Sequence, residues 1–307
     1  MVKSVCDKTV LALGELLWDV LPSERLLGGA PANFCHRLRQ LGVNAHMVSR
    51  VGGDALGKDL LSGLQALDFD LSLVQEDPVH PTGTVDVSLS RDGNPSFVIN
   101  NDVAYDYIEA TTALLTAACN ASLICFGTLV QRSEKTRQTI YRVLEAAPTA
   151  TKFLDINLRK DCYSAETVME SLRRTDILKL NTSEVAAISE LLQLGTTTQK
   201  EMAQTIMRIY GVKTVLLTLG EAGVYAIDAH DGECTVPGVS INVVDTIGSG
   251  DSFAAGFVFS YLQGEPLDEC CHFGNLIGAL NATKRGGMPN ISSDELAKFL
   301  AQYADAA

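Results

Sequence analysis

Short apolar runs alternate with segments of helical periodicity along most of the chain. Several runs are apolar at consecutive positions, as strands buried on both faces of a parallel sheet are. The predicted strands cover residues 9–14, 45–52, 122–127, 152–157, 176–181 and 213–220. Apolar residues three and four positions apart predict helices at residues 31–41, 58–67, 133–147, 198–210 and 252–262. This alternation predicts an α/β fold with a doubly wound, mostly parallel sheet flanked by helices.

Two stretches interrupt the alternation, at residues 15–29 and 83–103. Both show period-two patterning around turn residues, Pro22-Ser23 in the first and residues 92–95 in the second, which is typical of antiparallel hairpins. We expect the hairpins to pair as a small β-sheet that forms a lid. The chain has no repeats, low-complexity tracts or linkers, so residues 1–307 are predicted to form one domain that carries this lid.

The composition is ordinary for a soluble globular protein, with 46% hydrophobic and 20% charged residues among 307. A formal net charge of −13 argues against broad contact with nucleic acid or an anionic membrane. The longest uncharged apolar run, residues 252–264, is too short to cross a bilayer. The N-terminus has no signal-peptide pattern, and the eight scattered cysteines form no C-x-x-C motif. A cytoplasmic protein with reduced core thiols is expected.

Polar residues cluster where three of the predicted strands end. The clusters are residues 155–159 (DINLR), 181–184 (NTSE) and 218–220 (TLG). Because ligands of doubly wound sheets bind beyond the carboxyl ends of the strands, these clusters indicate a binding site.

Two segments resemble phosphate motifs but lack essential residues. Residues 52–58 match G-x-x-x-x-G-K, but Asp59 stands where a phosphate loop needs Ser or Thr. After Gly248 and Gly250, the third glycine of a dinucleotide fingerprint would fall at Phe253. A phosphate-loop enzyme and a nicotinamide enzyme are therefore disfavoured.

Residues 245–251, DTIGSGD, combine small residues with a carboxylate just before a predicted helix. Gly248, Ser249 and Gly250 allow the backbone to approach a ligand, and the first N–H groups of the helix can bind an anion. Asp251 is then either the N-cap of the helix or a general base that takes a proton from a substrate hydroxyl. These residues alone leave both alternatives open.

Two distant motifs resemble the signatures of the ribokinase-like (PfkB) carbohydrate kinases. The first is residues 28–35, GGAPANFC, followed by Gly42 and Gly52, and the second is residues 245–256, DTIGSGDSFAAG. They occur in the family's order, and the similarity covers essentially the whole chain. Cys35 and Ser249 depart from the usual residues but keep the backbone role. Residues 14–22 and 155–163 make the chain most similar to the fructokinase branch.

The resemblance implies that Asp251 deprotonates a sugar hydroxyl beside an anion hole. The anion hole would comprise Gly248, Ser249 and Gly250. Asp19, Gly29 and Asn33 match the positions that hold the sugar. The open alternatives are a surface acid on a lid strand for Asp19 and a solvated amide in the first helical turn for Asn33.

Arg159, in the DINLR segment of the fructokinase-like pattern, would reach the phosphates or the sugar. The alternative is a surface position without a ligand.

The resemblance also implies a nucleotide site. Its residues would be Asn181, Thr218, Gly220, Gly223 and Asn275. The alternatives are a tight turn between strands for the 218–223 segment and an exposed polar residue on a helix for Asn275.

Two ion sites follow from the resemblance. Glu184 would organise Mg²⁺ through water, although N-x-x-E at 181–184 is also a capping box. A K⁺ site found in some members would involve Asp245, Ile247, Ala282 and Gly287.

The sequence therefore predicts a sugar kinase that uses ATP and Mg²⁺, and K⁺ as a further candidate cofactor. It would transfer the γ-phosphate to a primary hydroxyl of a monosaccharide, with fructose as the expected substrate. The alternatives are a kinase for 2-keto-3-deoxygluconate or ribose, and a catalytically silent sugar-binding regulator. An exposed edge of the lid sheet suggests a homodimer formed through the lid.

Overall fold

The computed structural model describes residues 7–89, 95–196 and 198–303. Thirteen strands are found in this part of the chain: β1 (Thr9–Leu13), β2 (Leu17–Val20), β3 (Arg25–Gly28), β4 (Asn44–Gly52), β5 (Val74–Asp77), β6 (Gly83–Leu89), β7 (Pro95–Ile99), β8 (Leu123–Phe126), β9 (Thr151–Asp155), β10 (Ile177–Asn181), β11 (Thr214–Thr218), β12 (Val224–Asp228) and β13 (Gly232–Val236). The same part contains ten α-helices: α1 (Ala30–Gln40), α2 (Ala55–Ala66), α3 (Thr112–Cys119), α4 (Glu134–Ala146), α5 (Ala165–Leu172), α6 (Thr182–Leu191), α7 (Gln199–Tyr210), α8 (Ser249–Gln263), α9 (Leu267–Ala282) and α10 (Ser293–Tyr303).

Nine strands form the main sheet, in the order β13-β12-β11-β10-β9-β8-β1-β4-β5. The strands from β11 to β5 are parallel, and only β12 and β13 are paired antiparallel. All six strands predicted from the apolar runs lie in the parallel part. The predicted fold, a mostly parallel sheet flanked by helices, is confirmed.

Alternate residues of the central strands enter two separate cores, one on each face of the sheet. In β1, Leu11 and Leu13 join the core beneath α3, α4, α5, α6 and α7, whereas Val10 and Ala12 join the core beneath α1, α2, α8 and α9. Both faces are buried, which explains why consecutive positions of these strands are apolar.

The smaller sheet has four strands in the order β3-β2-β6-β7. It consists of the two predicted hairpins, which are joined by parallel pairing of β2 with β6. The predicted turn at residues 92–95 lies partly outside the described residues. Trp18 ties this sheet to the main body because its Nε1 donates to the Leu56 carbonyl over 3.0 Å.

No helix in the described part of the chain combines the length and apolarity required to span a bilayer. The segment resembling a phosphate loop divides between the end of β4, a turn and α2. There the side chain of Asp54 caps the helix by accepting from the Gly57 N–H. Lys58 is thus an ordinary residue of the first turns of a helix.

Candidate active site

The carboxyl ends of the central strands face the N-terminal ends of α1 and α8. Asp155 ends β9, Lys179 lies in β10, and the register pairs these two residues directly. Asn181 ends β10 beside Thr218, the last residue of β11. Asn33 and Asp251, from the first turns of α1 and α8, meet beside Lys179, so the polar clusters at the strand ends lie next to one another at this edge of the sheet.

Helix α8 begins at Ser249, three residues earlier than the periodicity predicts. Gly248 is its N-cap and has a left-handed φ of 74°. A side chain there would also collide with the opposing loop, since a Cβ would lie 2.6 Å from the Gly287 Cα. Asp251 is therefore the third helical residue, and the alternative in which it is the N-cap is wrong.

The first turn of α8 presents unused backbone donors. Ser249 N donates to the Thr246 carbonyl over 3.2 Å, and the first helical hydrogen bond runs from Ser252 N to the Gly248 carbonyl. Within the described ranges, the N–H groups of Gly250 and Asp251 donate to no protein acceptor. Together with the helix dipole, these two groups form a site suited to a phosphoryl oxygen.

Asn33 binds the candidate base directly. Its Nδ2 donates to Asp251 Oδ2 over 2.7 Å. The Asn33 side chain is 6% exposed, and its Oδ1 has no hydrogen-bond partner among the described residues. Gly287 lies against this amide. A side chain at residue 287 would not fit, because its Cβ would be 2.5 Å from Asn33 Oδ1. Asn33 is consequently a buried residue of the site, and the alternative of a solvated amide is wrong.

The pKa of Asp251 is raised from 3.8 to about 6. Burial is the main cause, and the negative charge of Asp155 adds to it. Lys179, the hydrogen bond from Asn33 and the charge of Arg159 act in the opposite direction. A carboxyl group with this pKa is ionised at neutral pH and is a stronger base than an exposed aspartate.

Lys179 is a site residue that no sequence motif indicated. Its Nζ contacts both Asp155 oxygens, at 3.0 and 2.9 Å, and its side chain is 6% exposed. The ammonium lies beneath the α8 N-terminus, 3.4 Å from where a Cβ of Gly250 would stand. Burial tends to lower the pKa of Lys179, but Asp155, Glu184 and Asp251 raise it overall, so the ammonium stays charged. Lys179 adds a positive charge to the phosphoryl site.

Two carboxyl groups lie on the side of the site nearest the small sheet. Asp19, in β2, is partly buried and its carboxyl group lies over Gly28. A Cβ on Gly28 would be 2.4 Å from Asp19 Oδ2. Burial raises the pKa of Asp19 to about 6. Glu15, which no sequence motif indicated either, is 5% exposed, and burial raises its pKa to about 7. Its Oε1 accepts from Ala30 N, the first residue of α1, over 3.2 Å.

Gly29 joins the small sheet to α1 in a conformation with φ of 115°. A side chain would be strained there and would lie 2.4 Å from the Glu15 carbonyl. The glycine thus lets the chain enter α1 directly beside Glu15.

Arg159 is exposed, and its side chain makes no hydrogen bond or ion pair to the described residues. Its charge nevertheless lowers the pKa of Glu15, Asp19 and Asp251, so the guanidinium lies within electrostatic reach of all three. This position, over the site and without a protein partner in the described ranges, is compatible with binding a phosphate or a sugar hydroxyl.

Asn181 and Glu184 form the capping box of α6. Asn181 Oδ1 accepts from Glu184 N over 3.0 Å, and Glu184 Oε2 accepts from Asn181 N over 2.8 Å. Glu184 Oε1 accepts from Leu158 N over 3.1 Å, and the residue is 5% exposed. Burial and the neighbouring Asp155 raise the pKa of Glu184. The capping role is thus present, whereas the role in binding magnesium stays a prediction.

The donor set suits a magnesium ion held through water. Each Glu184 oxygen accepts one backbone hydrogen bond and keeps a further lone pair for a water molecule. Asp155, Glu184 and Asp251 surround the single ammonium of Lys179, which leaves an excess of negative charge. Residues 7–89, 95–196 and 198–303 contain no group of three metal-ligating side chains that could hold an ion directly. Magnesium prefers few carboxylates and several waters, so this set fits it.

The predicted nucleotide residues lie on neighbouring elements. Residues 218–223 form a tight turn from β11 into β12, in which Thr218 Oγ1 donates to the Leu180 carbonyl. The loop after β13 packs on this turn, because a Cβ of Gly223 would be 2.1 Å from the Val236 carbonyl. Gly220 and Gly223 both have positive φ, 63° and 99°.

Asn275, in α9, holds the loop after β13. Its Nδ2 donates to the Val236 and Pro237 carbonyls over 3.3 and 3.0 Å. Asn275 is half-buried and part of the same loop cluster as the 218–223 turn, so the alternative of an exposed polar residue on a helix is wrong.

The residues of the predicted K⁺ site also lie together. Asp245 Oδ1 accepts from Ile247 N, and its Oδ2 accepts from Gly286 N, over 3.0 and 2.9 Å. The Ala282 carbonyl accepts from the N–H groups of Val244 and Asp245. Two hydrogen bonds occupy both lone pairs of that oxygen, which leaves the carboxylate of Asp245 and the carbonyls of Ile247 and Gly287 as the better candidates.

Relatives and solved structures resemble the chain over nearly its full length. Fructokinase of Escherichia coli is 28% identical over 302 residues, which cover 91% of this chain and 94% of that protein. The structure of an uncharacterized sugar kinase from Pyrococcus horikoshii in complex with ATP matches with a TM-score of 0.81 at 28% identity, covering 94% and 97% of the two chains. Fructokinase with bound ATP from Xylella fastidiosa has the same fold, with a TM-score of 0.85 at 20% identity over 97% of this chain and 100% of that one. The model of the pfkB family carbohydrate kinases matches residues 20–294. With both signature motifs meeting at one site, the chain belongs to the pfkB family of carbohydrate kinases.

Proposed function

We propose that the protein transfers the γ-phosphate of ATP to a primary hydroxyl of a monosaccharide, and that this sugar is fructose. The main supporting observation is the first turn of α8, where the Asp251 carboxylate stands beside the N–H groups of Gly250 and Asp251, which have no acceptor in the described ranges. This arrangement combines a proton acceptor with a phosphoryl site, as a reaction between a hydroxyl and a phosphate requires.

In the proposed reaction the sugar hydroxyl gives its proton to Asp251 while its oxygen attacks the γ-phosphorus. The backbone donors of Gly250 and Asp251 and the ammonium of Lys179 stabilise the negative charge on the transferring group. Asn33 fixes the orientation of Asp251 through the 2.7 Å hydrogen bond. Bound Mg²⁺, organised by Glu184 through water, would neutralise phosphate charge.

The remaining predicted residues receive roles by their positions. Asp19, Gly29 and Asn33 would bind sugar hydroxyls, and Arg159 would bind sugar or phosphate. Asn181, Thr218, Gly220, Gly223 and Asn275 would bind the nucleotide. K⁺ at the Asp245 loop, closure of the small sheet as a lid, a dimer through that sheet and a cytoplasmic location stay predictions.

The charge on the side of the site nearest the small sheet, where the sugar is proposed to bind, supports a neutral substrate. Glu15 and Asp19 lie there with Arg159 as the compensating cation. A sugar acid such as 2-keto-3-deoxygluconate would need a cation of its own, but Arg159 is already within reach of three carboxylates. Fructose and ribose carry no charge. Among relatives, fructokinase of Escherichia coli and probable fructokinase-2 of Arabidopsis thaliana are equally similar, at 28% identity.

A panel assay tests the proposal. Initial rates are measured with Mg²⁺-ATP and fructose, ribose, 2-keto-3-deoxygluconate or adenosine, over a range of sugar concentrations. We expect kcat/KM to be highest with fructose. A higher value with ribose or the sugar acid would refute the choice of sugar. If none of these compounds caused ATP to be consumed, the kinase function would be refuted in favour of a silent binding protein.

A further inference from the structure

Two cysteines outside the proposed reaction lie side by side where β13 packs on α9. Cys234 is the central residue of β13 and is half-buried, whereas Cys271 is in the second turn of α9 and is fully buried. Cys234 packs against the core cluster that contains Cys271, and the two thiols share a hydrogen bond. They are far apart in sequence and form no C-x-x-C motif, so the sequence predicted only core thiols.

The pair is chemically asymmetric. The hydrogen bond from Cys271 lowers the pKa of Cys234, although burial and the charge of Asp268 oppose it. The same hydrogen bond and burial raise the pKa of Cys271. Because Cys234 is half-buried and Cys271 is fully buried, a peroxide reaches the Cys234 sulfur first, and Cys271 is the neighbouring thiol held in place to react next.

The neighbouring Cys270 lacks this arrangement. It is 1% exposed, its Sγ donates to the Glu265 carbonyl over 3.4 Å, and burial raises its pKa to about 12. It is one position away from Cys271 on the same helix and therefore serves as a matched control.

We propose that Cys234 and Cys271 are a redox modification site, at which a peroxide forms a reversible disulfide that weakens nucleotide binding. The Cys234 thiolate attacks one peroxide oxygen, the O–O bond breaks, and Cys234 becomes a sulfenic acid while the other oxygen leaves as water. The Cys271 sulfur then attacks the Cys234 sulfur, loses its proton, and expels the second oxygen as water. Two thiols and one hydrogen peroxide thus yield one disulfide and two waters.

The bond would act on the loop cluster of the predicted nucleotide site. Cys234 is two residues before Val236, and Cys271 is one helical turn before Asn275, whose Nδ2 binds the Val236 carbonyl. That carbonyl also packs on Gly223. A disulfide is shorter than any non-bonded contact of two sulfur atoms, so its formation draws β13 toward α9 and displaces this cluster. Formation of the bond does not depend on the proposed function, but its effect on ATP does.

Peptide mapping of the full-length protein tests the bond itself. The protein is oxidised with hydrogen peroxide, free thiols are alkylated, and the fragments are analysed without reduction. Trypsin has no cleavage site between Lys213 and Lys284, so a protease that cuts after glutamate is used, because it cleaves at Glu233 and Glu269. We expect a cross-linked pair of fragments that begin at Cys234 and Cys270, and dithiothreitol should separate them. The link should disappear in Cys234→Ser and Cys271→Ala and persist in Cys270→Ala.

Kinetics test the consequence for the nucleotide. Oxidation of the wild type should raise KM for ATP about fivefold, which corresponds to the loss of one ordinary hydrogen bond, and should leave Cys234→Ser unchanged. A link through Cys270, or full alkylation of Cys234 and Cys271 after oxidation, would refute the site. A complete Cys234–Cys271 link without a change in KM would refute the coupling to the nucleotide. If no sugar supports turnover, the mapping still decides whether the bond forms.

Discussion

Replacing Asp251 by asparagine should greatly lower turnover and at the same time stabilise the folded protein. The two side chains have the same shape, and the amide oxygen of the replacement could still accept the N–H of Asn33. General bases contribute about 10²- to 10⁴-fold to rates, so kcat should fall by that factor. Sugar binding should change little, because the hydroxyl holders are other residues.

The expected gain in stability follows from the pKa of Asp251. Burial, reinforced by Asp155, raises this pKa from 3.8 to about 6. Each tenfold change in acidity corresponds to about 1.4 kcal/mol, so ionised Asp251 costs the folded state about 3 kcal/mol. The cost is complete above pH 6, shrinks as the pH falls toward 3.8, and is absent below it. The Asp251→Asn variant should therefore exceed the wild type in unfolding free energy by up to about 3 kcal/mol at pH 8, and by progressively less in acid.

Denaturant titration at pH 8 and pH 5, followed by the fluorescence of the single tryptophan, measures both free energies. Asp294→Asn is the matched control, because it removes an exposed carboxylate from the first turn of another helix, α10. The control should leave turnover and stability nearly unchanged. Wild-type turnover in Asp251→Asn would show that Asp251 is not the base. Equal or lower stability than the wild type at pH 8 would show that the buried charge is not costly.

Three further predictions address the groups around Asp251. The pH profile of kcat/KM should have an acidic limb near pH 6, where Asp251 becomes protonated. The limb should move to lower pH in Asp155→Asn and to higher pH in Lys179→Met, because Asp155 raises the pKa of Asp251 and Lys179 lowers it. Shifts of both variants in the same direction would contradict this electrostatic account. The hydrogen bond from Asn33 lowers the pKa of Asp251, so Asn33→Ala, which removes it, should move the acidic limb to higher pH and raise KM for the sugar. An unmoved limb would refute the role of Asn33. Gly248→Ala should lower the unfolding free energy by about 1–3 kcal/mol, because residue 248 has a φ of 74° and a Cβ there would lie 2.6 Å from the Gly287 Cα. Gly250→Ala should leave the unfolding free energy nearly unchanged and reduce kcat. Similar stability of the two variants in denaturant titration would refute this distinction.

The fold could be predicted from the sequence because strands that are buried on both faces of a sheet appear as continuous apolar runs. β8 is apolar at every position and β1 at four consecutive positions, and such strands alternate with segments of helical periodicity. The start of α8 could not be predicted in the same way. Its first turn contains Ser249 and Gly250, which carry no apolar signal, and its cap is a glycine in a left-handed conformation rather than a side chain.

Sequence motifs indicated Asp251 and Asn33, whereas no motif indicated Lys179. Asp251 and Asn33 belong to the two signature motifs. The pairing of Lys179 with Asp155 depends on the register of β10 beside β9, which no local pattern specifies. A signal did exist, because a lysine within the apolar strand at 176–181 is tolerated only when a partner neutralises it. The sequence alone could not say which acid that partner is.

The distribution of charge also limits what the site can bind. Its acidic residues are Glu15, Asp19, Asp155, Glu184 and Asp251. Lys179 and Arg159 supply the opposing positive charge, and Lys179 is bound to Asp155. A free triphosphate would be repelled by the excess of carboxylates, so we expect the phosphate donor to arrive as a complex with a divalent cation. A neutral sugar avoids the same repulsion on the side of Glu15 and Asp19. Burial is the main cause of the raised pKa of Asp251, and the negative charge of Asp155, which raises it further, also favours a metal-bound donor and an uncharged acceptor.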